Sequence, residues 1–194
     1  MQLYLETDRL RLRQFTRDDA DLLIELDSDP DVMRYLTGGI PTPAARIREV
    51  VLPDFLAWYA RSPHYGYWAA EQRATDAFLG WFHLRPPLDP DAAADAWLCG
   101  ALEVGYRLVR RAWGNGYATE GTRALVDRAF REYQAPRVVA LTMAANGASR
   151  RVMEKSGLHW VSTIPAEQGV PDRAFDEVVY ALSRDDWAHD RANR

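Results

Sequence analysis

The sequence predicts a mixed α/β domain in which a sheet is covered by helices. Three observations carry that expectation. Arg9-Leu10-Arg11-Leu12-Arg13 alternates polar and apolar residues with period two, the pattern of a half-buried strand. Tyr117–Tyr133 places Ala118, Thr122, Leu125, Val126, Ala129, Phe130 and Tyr133 at helical spacing between two strand-like runs, which calls for a parallel crossover. The chain has 194 residues, with no internal repeat and no linker between two cores, so residues 1–194 read as one domain.

The remaining elements follow in order. Thr16-Arg17-Asp18-Asp19 resembles a capping box, and Leu22, Leu23 and Leu26 stripe the helix it opens. Asp29-Pro30 pairs an N-cap with a proline at the first helical position, starting a short helix with Val32, Met33 and Leu36. Thr42-Pro43 repeats that signal. Ile47, Val50, Val51, Phe55, Trp58 and Tyr59 continue a helical face to about Ser62, and Pro53 should kink or divide it. Tyr65–Glu71 and Phe78–Leu84 read as strands joined by a turn at Arg73–Asp76. Arg85–Ala96, rich in proline, aspartate and alanine, reads as a loop. Glu103–Leu108 and Arg137–Met143 are strands. Asn146 caps a helix that stops at Gly157, the position of a C′ glycine. Leu158–Ile164 and Phe175–Leu182 close the sheet, and Asp185-Asp186-Trp187 starts a terminal helix.

Composition excludes several classes. Hydrophobic residues make up 47% and charged residues 27%, enough for a sizeable core. A net charge of -4 and the lack of an interleaved basic-aromatic patch argue against a nucleic-acid binder. Lys155 is the one lysine, so the cationic residues are almost all arginine. Coding bias explains the total, while single guanidinium forks remain suited to phosphate. Cys99 is the one cysteine, which leaves no pair for a disulfide or a cysteine zinc site, and it reads as a small apolar residue. His64, His83 and His159 lack metal-site spacing, so no metal is expected. Met1–Gln14 carries no signal-peptide pattern, and Val50–Ala60 is broken by Pro53 and Asp54. The expectation is a cytoplasmic protein without membrane contact, a monomer or homodimer.

Arg110-Arg111-Ala112-Trp113-Gly114-Asn115-Gly116-Tyr117-Ala118-Thr119-Glu120 carries the chemistry. It lies between a strand and a long helix. Two glycines two residues apart let successive N–H groups face one point, and the helix start adds free N–H groups and a positive dipole end. Such a segment suits a phosphate or pyrophosphate, or else a plain tight strand-to-helix turn. It has no lysine for a P-loop, and Thr119 stands where a dinucleotide fingerprint needs a third glycine.

Four segments in register resemble the GNAT superfamily of acyl-CoA-dependent N-acetyltransferases, in its ribosomal-protein (Rim-type) branch. They are Leu5-Glu6-Thr7-Asp8-Arg9-Leu10-Arg11-Leu12-Arg13, Leu102-Glu103-Val104-Gly105-Tyr106, Trp113–Glu120, and Asn146-Gly147-Ala148-Ser149 followed by Val152, Glu154-Lys155 and Gly157. The resemblance implies a central, mostly antiparallel sheet with a splayed parallel strand pair and helices on both faces. It implies acetyl-CoA as co-substrate, with pantetheine along Tyr106 and Leu108. Pyrophosphate would lie on Arg111, Gly114, Asn115, Gly116, Tyr117 and Ala118. Asn146 would contact the pantetheine arm, and Ser149 would lie near the sulfur. Many members protonate the departing thiolate with a tyrosine whose matching position here is Met153, which makes Ser149 or water the donor. Glu103 is the first candidate base and Glu167 the second, with Gln168 as the alternative match to the latter. The acceptor would be a primary amine on a small molecule, a lysine or a protein N-terminus. Trp58, Tyr59, Tyr65, Tyr67, Trp68, Trp81, Phe82 and Trp160 are candidates for its pocket wall. The alternative reading is a CoA-binding sensor with weak catalysis.

Overall fold

The structure is a computed structural model that describes residues 2–88, 96–166 and 175–192. The chain divides into two compact units, Met1–Leu84 with Tyr106–Gly121, and Arg85–Gly105 with Thr122–Arg194.

The first unit contains β1 (Leu3–Glu6), β2 (Leu10–Gln14), α1 (Ala20–Ser28), α2 (Pro30–Thr37), α3 (Ala44–Arg46), α4 (Leu52–Arg61), β3 (Gly66–Gln72) and β4 (Phe78–Arg85, to Leu84). It also takes the end of β5 (Leu102–Leu108) and the start of α5 (Tyr117–Arg131). The alternating run at Arg9–Arg13 lies in β2 from Leu10 on, as expected, and β1 precedes it in a hairpin. The hairpin bends at Thr7–Arg9, where the Thr7 amide donates to the Leu10 carbonyl at 2.9 Å. β1 to β4 form an antiparallel ladder in chain order.

Register decides which side chains meet. Arg13 lies opposite Ala69, Ala69 opposite Trp81, and Tyr67 opposite His83, so these residues share one face. Trp68 and Phe82 are opposite each other on the reverse face. The helices cover the first face. Phe55 of α4 stacks on Tyr67 with ring centroids 3.9 Å apart, and Leu23, Leu26, Ile47 and Leu52 are buried. Gly80 lets β4 approach β5 closely. A Cβ there would stand 2.1 Å from the Arg107 carbonyl oxygen, and its φ of +130° already favours glycine.

Caps behave largely as the sequence predicts. Asp29 accepts from the Asp31 amide at 2.9 Å and starts α2, and the Thr16 amide donates to Asp19 at 2.6 Å ahead of α1. Thr42 differs from expectation. Its hydroxyl donates to Asp27 at 2.9 Å, and Pro43 takes the position before α3. Pro53 divides its helical run through a π turn at Ile47–Val51. Proline has no N–H and crowds the carbonyl four residues back, which here is Glu49, inside that turn.

In the second unit the first residues of β5 pair in parallel with β6 (Arg137–Met143), as Leu102↔Val138 and Glu103↔Val139. β6 runs antiparallel to β8 (Glu177–Ser183), which also pairs with β7 (His159–Ile164). The mixed α/β class with one parallel pair is as expected. α6 (Gly147–Lys155) ends at Gly157, whose φ is +90°, and α7 (Arg184–Ala192) follows β8. Val138, Val139, Leu158, Tyr180 and Phe130 are buried here. Cys99 departs from the apolar reading and is exposed. Its neighbours Trp97 and Leu98 take the inward positions, against Ala101, Val139 and Ala181. The central part of the Arg85–Ala96 loop lies outside the described residues. Among the described residues no helix is long and apolar enough to cross a membrane.

Candidate active site

In the first unit the Gly-x-Gly segment is a built loop. Gly114 and Gly116 have φ of +73° and +82°, where side chains other than glycine are strained. The loop carbonyls are held by side chains. The Asn115 amide donates to the carbonyls of Trp113 at 2.9 Å and Arg111 at 3.3 Å, and Arg9 donates to the Asn115 carbonyl at 2.9 Å. Anchoring the negative ends of these peptide dipoles favours an anion on the amide side. A helix that starts at Tyr117 has no internal partners for the amides of Tyr117, Ala118 and Thr119, and its dipole adds positive potential there. Nothing lies within 4 Å of a Cβ built on Gly114, so the loop has open space beside it.

A clip that sequence reading missed holds this loop. Glu120 accepts from the Thr7 hydroxyl at 2.6 Å, from the Arg9 amide at 2.9 Å and from the Arg9 Nε at 2.7 Å. Burial works against the Glu120 charge, but these hydrogen bonds outweigh it, and the carboxyl lies below its ordinary range. The Arg9 guanidinium also lies 4.7 Å from the centre of the Tyr117 ring, and the Tyr117 hydroxyl accepts from Gln72 at 3.0 Å. Thr7, Arg9 and Glu120 all stand in quoted motif segments, yet no spacing rule joins residues more than a hundred positions apart.

Arg111 donates to the Phe78 carbonyl at 2.9 Å and meets Glu25 at 3.1 Å, while Arg110 pairs with Asp31 at 2.8 Å. Both guanidiniums are more than half exposed, and exposed pairs of this kind hold weakly enough to exchange partners. Just before the loop, Tyr106 packs its ring 5.8 Å from Phe82, and the carbonyl of buried Leu108 accepts from the Trp113 indole at 2.8 Å.

The aromatic candidates separate by face. Tyr67 and Trp81 stand with His83 on the helix-covered face, with Tyr67 5.5 Å from Trp81 and 5.1 Å from His83. Trp68 stacks on Tyr4 at 3.6 Å on the reverse face, and Phe82 is fully buried under Gly121 of α5. Tyr59 donates to the Tyr67 carbonyl and accepts from the Phe15 amide at 3.0 Å, which ties α4 to the ladder.

The second unit holds the other predicted residues. Asn146 accepts from the Ser149 amide at 3.1 Å, so it is an N-cap, and Ser149 is half-buried in the first turn of α6. Met153 is buried in the core. Glu103 receives both ends of a fork from Arg85, at 3.0 and 3.1 Å. Arg150 donates to the Tyr180 hydroxyl at 3.1 Å, and that hydroxyl donates to Glu154 at 3.0 Å. Trp160 is exposed on β7. Glu167 and Gln168 lie outside the described residues.

A glycine loop that runs from a strand into a helix start, with its carbonyls tied back, is the anion cradle expected of a coenzyme A-dependent transferase. The chain belongs to the GNAT acetyltransferase family, whose domain matches residues 9–159. It is an acetyl-CoA-dependent N-acetyltransferase. The uncharacterized protein YkkB of Bacillus subtilis (strain 168) is 38% identical over 164 residues, covering 82% of this chain and 87% of that protein. The FsC-acetyl coenzyme A-N(2)-transacetylase of Aspergillus fumigatus is 32% identical over 186 residues, covering 94% and 77%. Among solved structures, the RimL ribosomal L7/L12 α-N-protein acetyltransferase in complex with coenzyme A superposes with a TM-score of 0.75 at 16% identity, covering 95% of this chain and 99% of that one.

Proposed function

We propose that the protein transfers the acetyl group of acetyl-CoA directly to a primary amine on a small molecule or a protein N-terminus. Residues 1–194 would act as one catalytic domain in the cytoplasm. The observation that carries this reading is the loop at Gly114–Gly116, with its positive φ values and anchored carbonyls. Its residues fit a pyrophosphate. Arg111, Gly114, Asn115, Gly116, Tyr117 and Ala118 hold that group, mostly through backbone amides. Tyr106 and Leu108 pair with the pantetheine arm through their backbone, and Asn146 supports it beside Ser149.

The chemistry needs no covalent enzyme intermediate. The incoming amine loses a proton to Glu103, directly or through a water, and attacks the thioester carbonyl. A backbone amide near Leu108 stabilises the developing oxyanion. The C–S bond breaks, and Ser149 or a water returns a proton to the thiolate, because Met153 has none to give. The Rim-like structural relative supports an amine on a protein N-terminus, and the Aspergillus relative supports a small-molecule amine.

Gly116→Asp tests the reading. It places a carboxylate in the anion cradle, at a φ of +82°, with Arg9 only 3.4 Å from the new Cβ. Calorimetric CoA titration should show binding abolished, while circular dichroism and the melting curve stay close to wild type. Unchanged CoA affinity in a folded variant overturns the site.

A further inference from the structure

Two arginines of the first unit, Arg13 buried and Arg107 half-buried, show how this fold treats an inward guanidinium. Arg13 is gripped on both edges. Asp19 takes Nη1 and Nη2 at 2.8 and 2.9 Å, and Glu71 takes Nε at 2.6 Å. Among the described residues Arg107, on β5, is gripped once, by Asp27 through Nη1 at 2.5 Å. Asp27 is itself 3% exposed, and its second oxygen accepts from Thr42. Arg107 Nε is buried and has no hydrogen-bond partner among the described residues.

A buried donor without a partner is costly, and this fold fills the equivalent edge of Arg13. The guanidinium lies 5.2 Å from the centre of the Trp81 ring, on the face that also carries Tyr67 and His83. The Arg107 side chain keeps 20% of its surface open. On β5 it stands between Tyr106 and Leu108, the two positions proposed above for the pantetheine arm.

We propose that Arg107 is a specificity residue for the acceptor, and that its unfilled Nε edge binds an oxygen acceptor near the reacting amine. The chemistry is a carboxylate or an amide carbonyl. Such an oxygen meets Nη2 first. A small turn about the Asp27 hydrogen bond then lets it satisfy Nε as well. Asp27 holds the fork flat, as Asp19 does for Arg13. This assignment rests on the acetyltransferase reading, and it adds the class of amine: an amino acid, an amino-acid amide or a peptide end, rather than a bare alkylamine.

Matched amines test it in the full-length protein. Lysine, lysinamide and cadaverine form one set; ornithine, ornithinamide and putrescine a second; alanine, alaninamide and ethylamine a third. CoA release is followed with acetyl-CoA held saturating. At least one set should show a preference of about tenfold or more in kcat/KM for an oxygen-bearing member, carried by KM. A preference for the acid marks a carboxylate, and equal use of acid and amide marks a carbonyl. Arg107→Lys keeps a charge beside Asp27 but removes the planar fork, and Arg107→Gln removes the charge. Both should bring the preference within about twofold while CoA affinity stays at the wild-type value. Equal use of all three members in every set, or no turnover of any set by a wild-type protein that binds CoA, overturns the proposal. So does a preference that survives in both variants. Failure of the wild-type protein to bind CoA overturns the reading beneath it instead.

Discussion

Arg13 and Arg107 face the same side of the same unit, under the same helices, but their surroundings differ in kind. Arg13 is closed: its side chain is 5% exposed, and Asp19 and Glu71, 9% and 11% exposed, saturate it. Burial opposes its charge, and the hydrogen bonds it donates to the two acids more than reverse that, so the group titrates well above its ordinary range. Among the described residues Arg107 has one acid and a buried Nε without a partner. The first arrangement ties β2 to β3 and to the turn before α1. The second leaves binding capacity in a place that structural need alone would have filled. Inward cations in one fold can thus serve either as closed clamps or as half-filled forks, and the number of partners separates them.

The largest expected effect falls on the closed clamp. Arg13→Met leaves buried Asp19 without its cation and, among the described residues, Glu71 with only Arg11 at 3.9 Å, and should lower the unfolding free energy by about 3–5 kcal/mol, read by denaturant titration. Arg107→Gln should cost clearly less in the same assay, because the glutamine amide still donates to Asp27. Equal losses at the two positions break the comparison.

The loop clip comes next. In Glu120→Gln one acceptor oxygen and the charge are lost, so Arg9 holds the Asn115 carbonyl less firmly. We expect a stability loss of about 1 kcal/mol and a CoA Kd several-fold higher by calorimetry. An unchanged Kd would show that the clip serves folding alone.

The smallest effect is a matter of pH. Asp19 and Glu120 both titrate below their ordinary values, because hydrogen bonds outweigh the burial that opposes their charge. A depressed carboxylate contributes stability above its unfolded pKa, and that contribution is lost as pH falls through the folded value. The melting temperature should therefore hold from pH 7 to about 5 and fall below about pH 4. In Glu120→Gln the acid-side fall should be shallower, and a fall of full size would remove Glu120 as a contributor.

Much of this was legible in the chain. Period-two alternation, the Asp29 and Asn146 caps, Gly157 and the two glycines at 114 and 116 are local rules, each set by the backbone needs of a few adjacent residues. Hence most elements and the anion loop could be read directly. Leu10 and Leu12 alternate out of phase with Leu3 and Leu5, so the pattern marks β2 but says nothing of its pairing with β1. The π turn before Pro53 was missed because a kink can be taken up at several points. Arg111 reads as a phosphate ligand, and the fold adds Glu25 and the Phe78 carbonyl to its surroundings.

Sequence by itself determined the family, most of the strands and helices and the loop that suits a pyrophosphate, since those depend on short-range spacing. Only tertiary structure decided that Thr7 and Arg9 clip Glu120, that Arg13 is saturated, and that Arg107 is not. Each of those outcomes depends on which acid or hydroxyl the folded sheet and helices bring within about 3 Å of a donor. Hydrogen bonds are that short in reach, and the partners stand up to 113 residues apart along the chain.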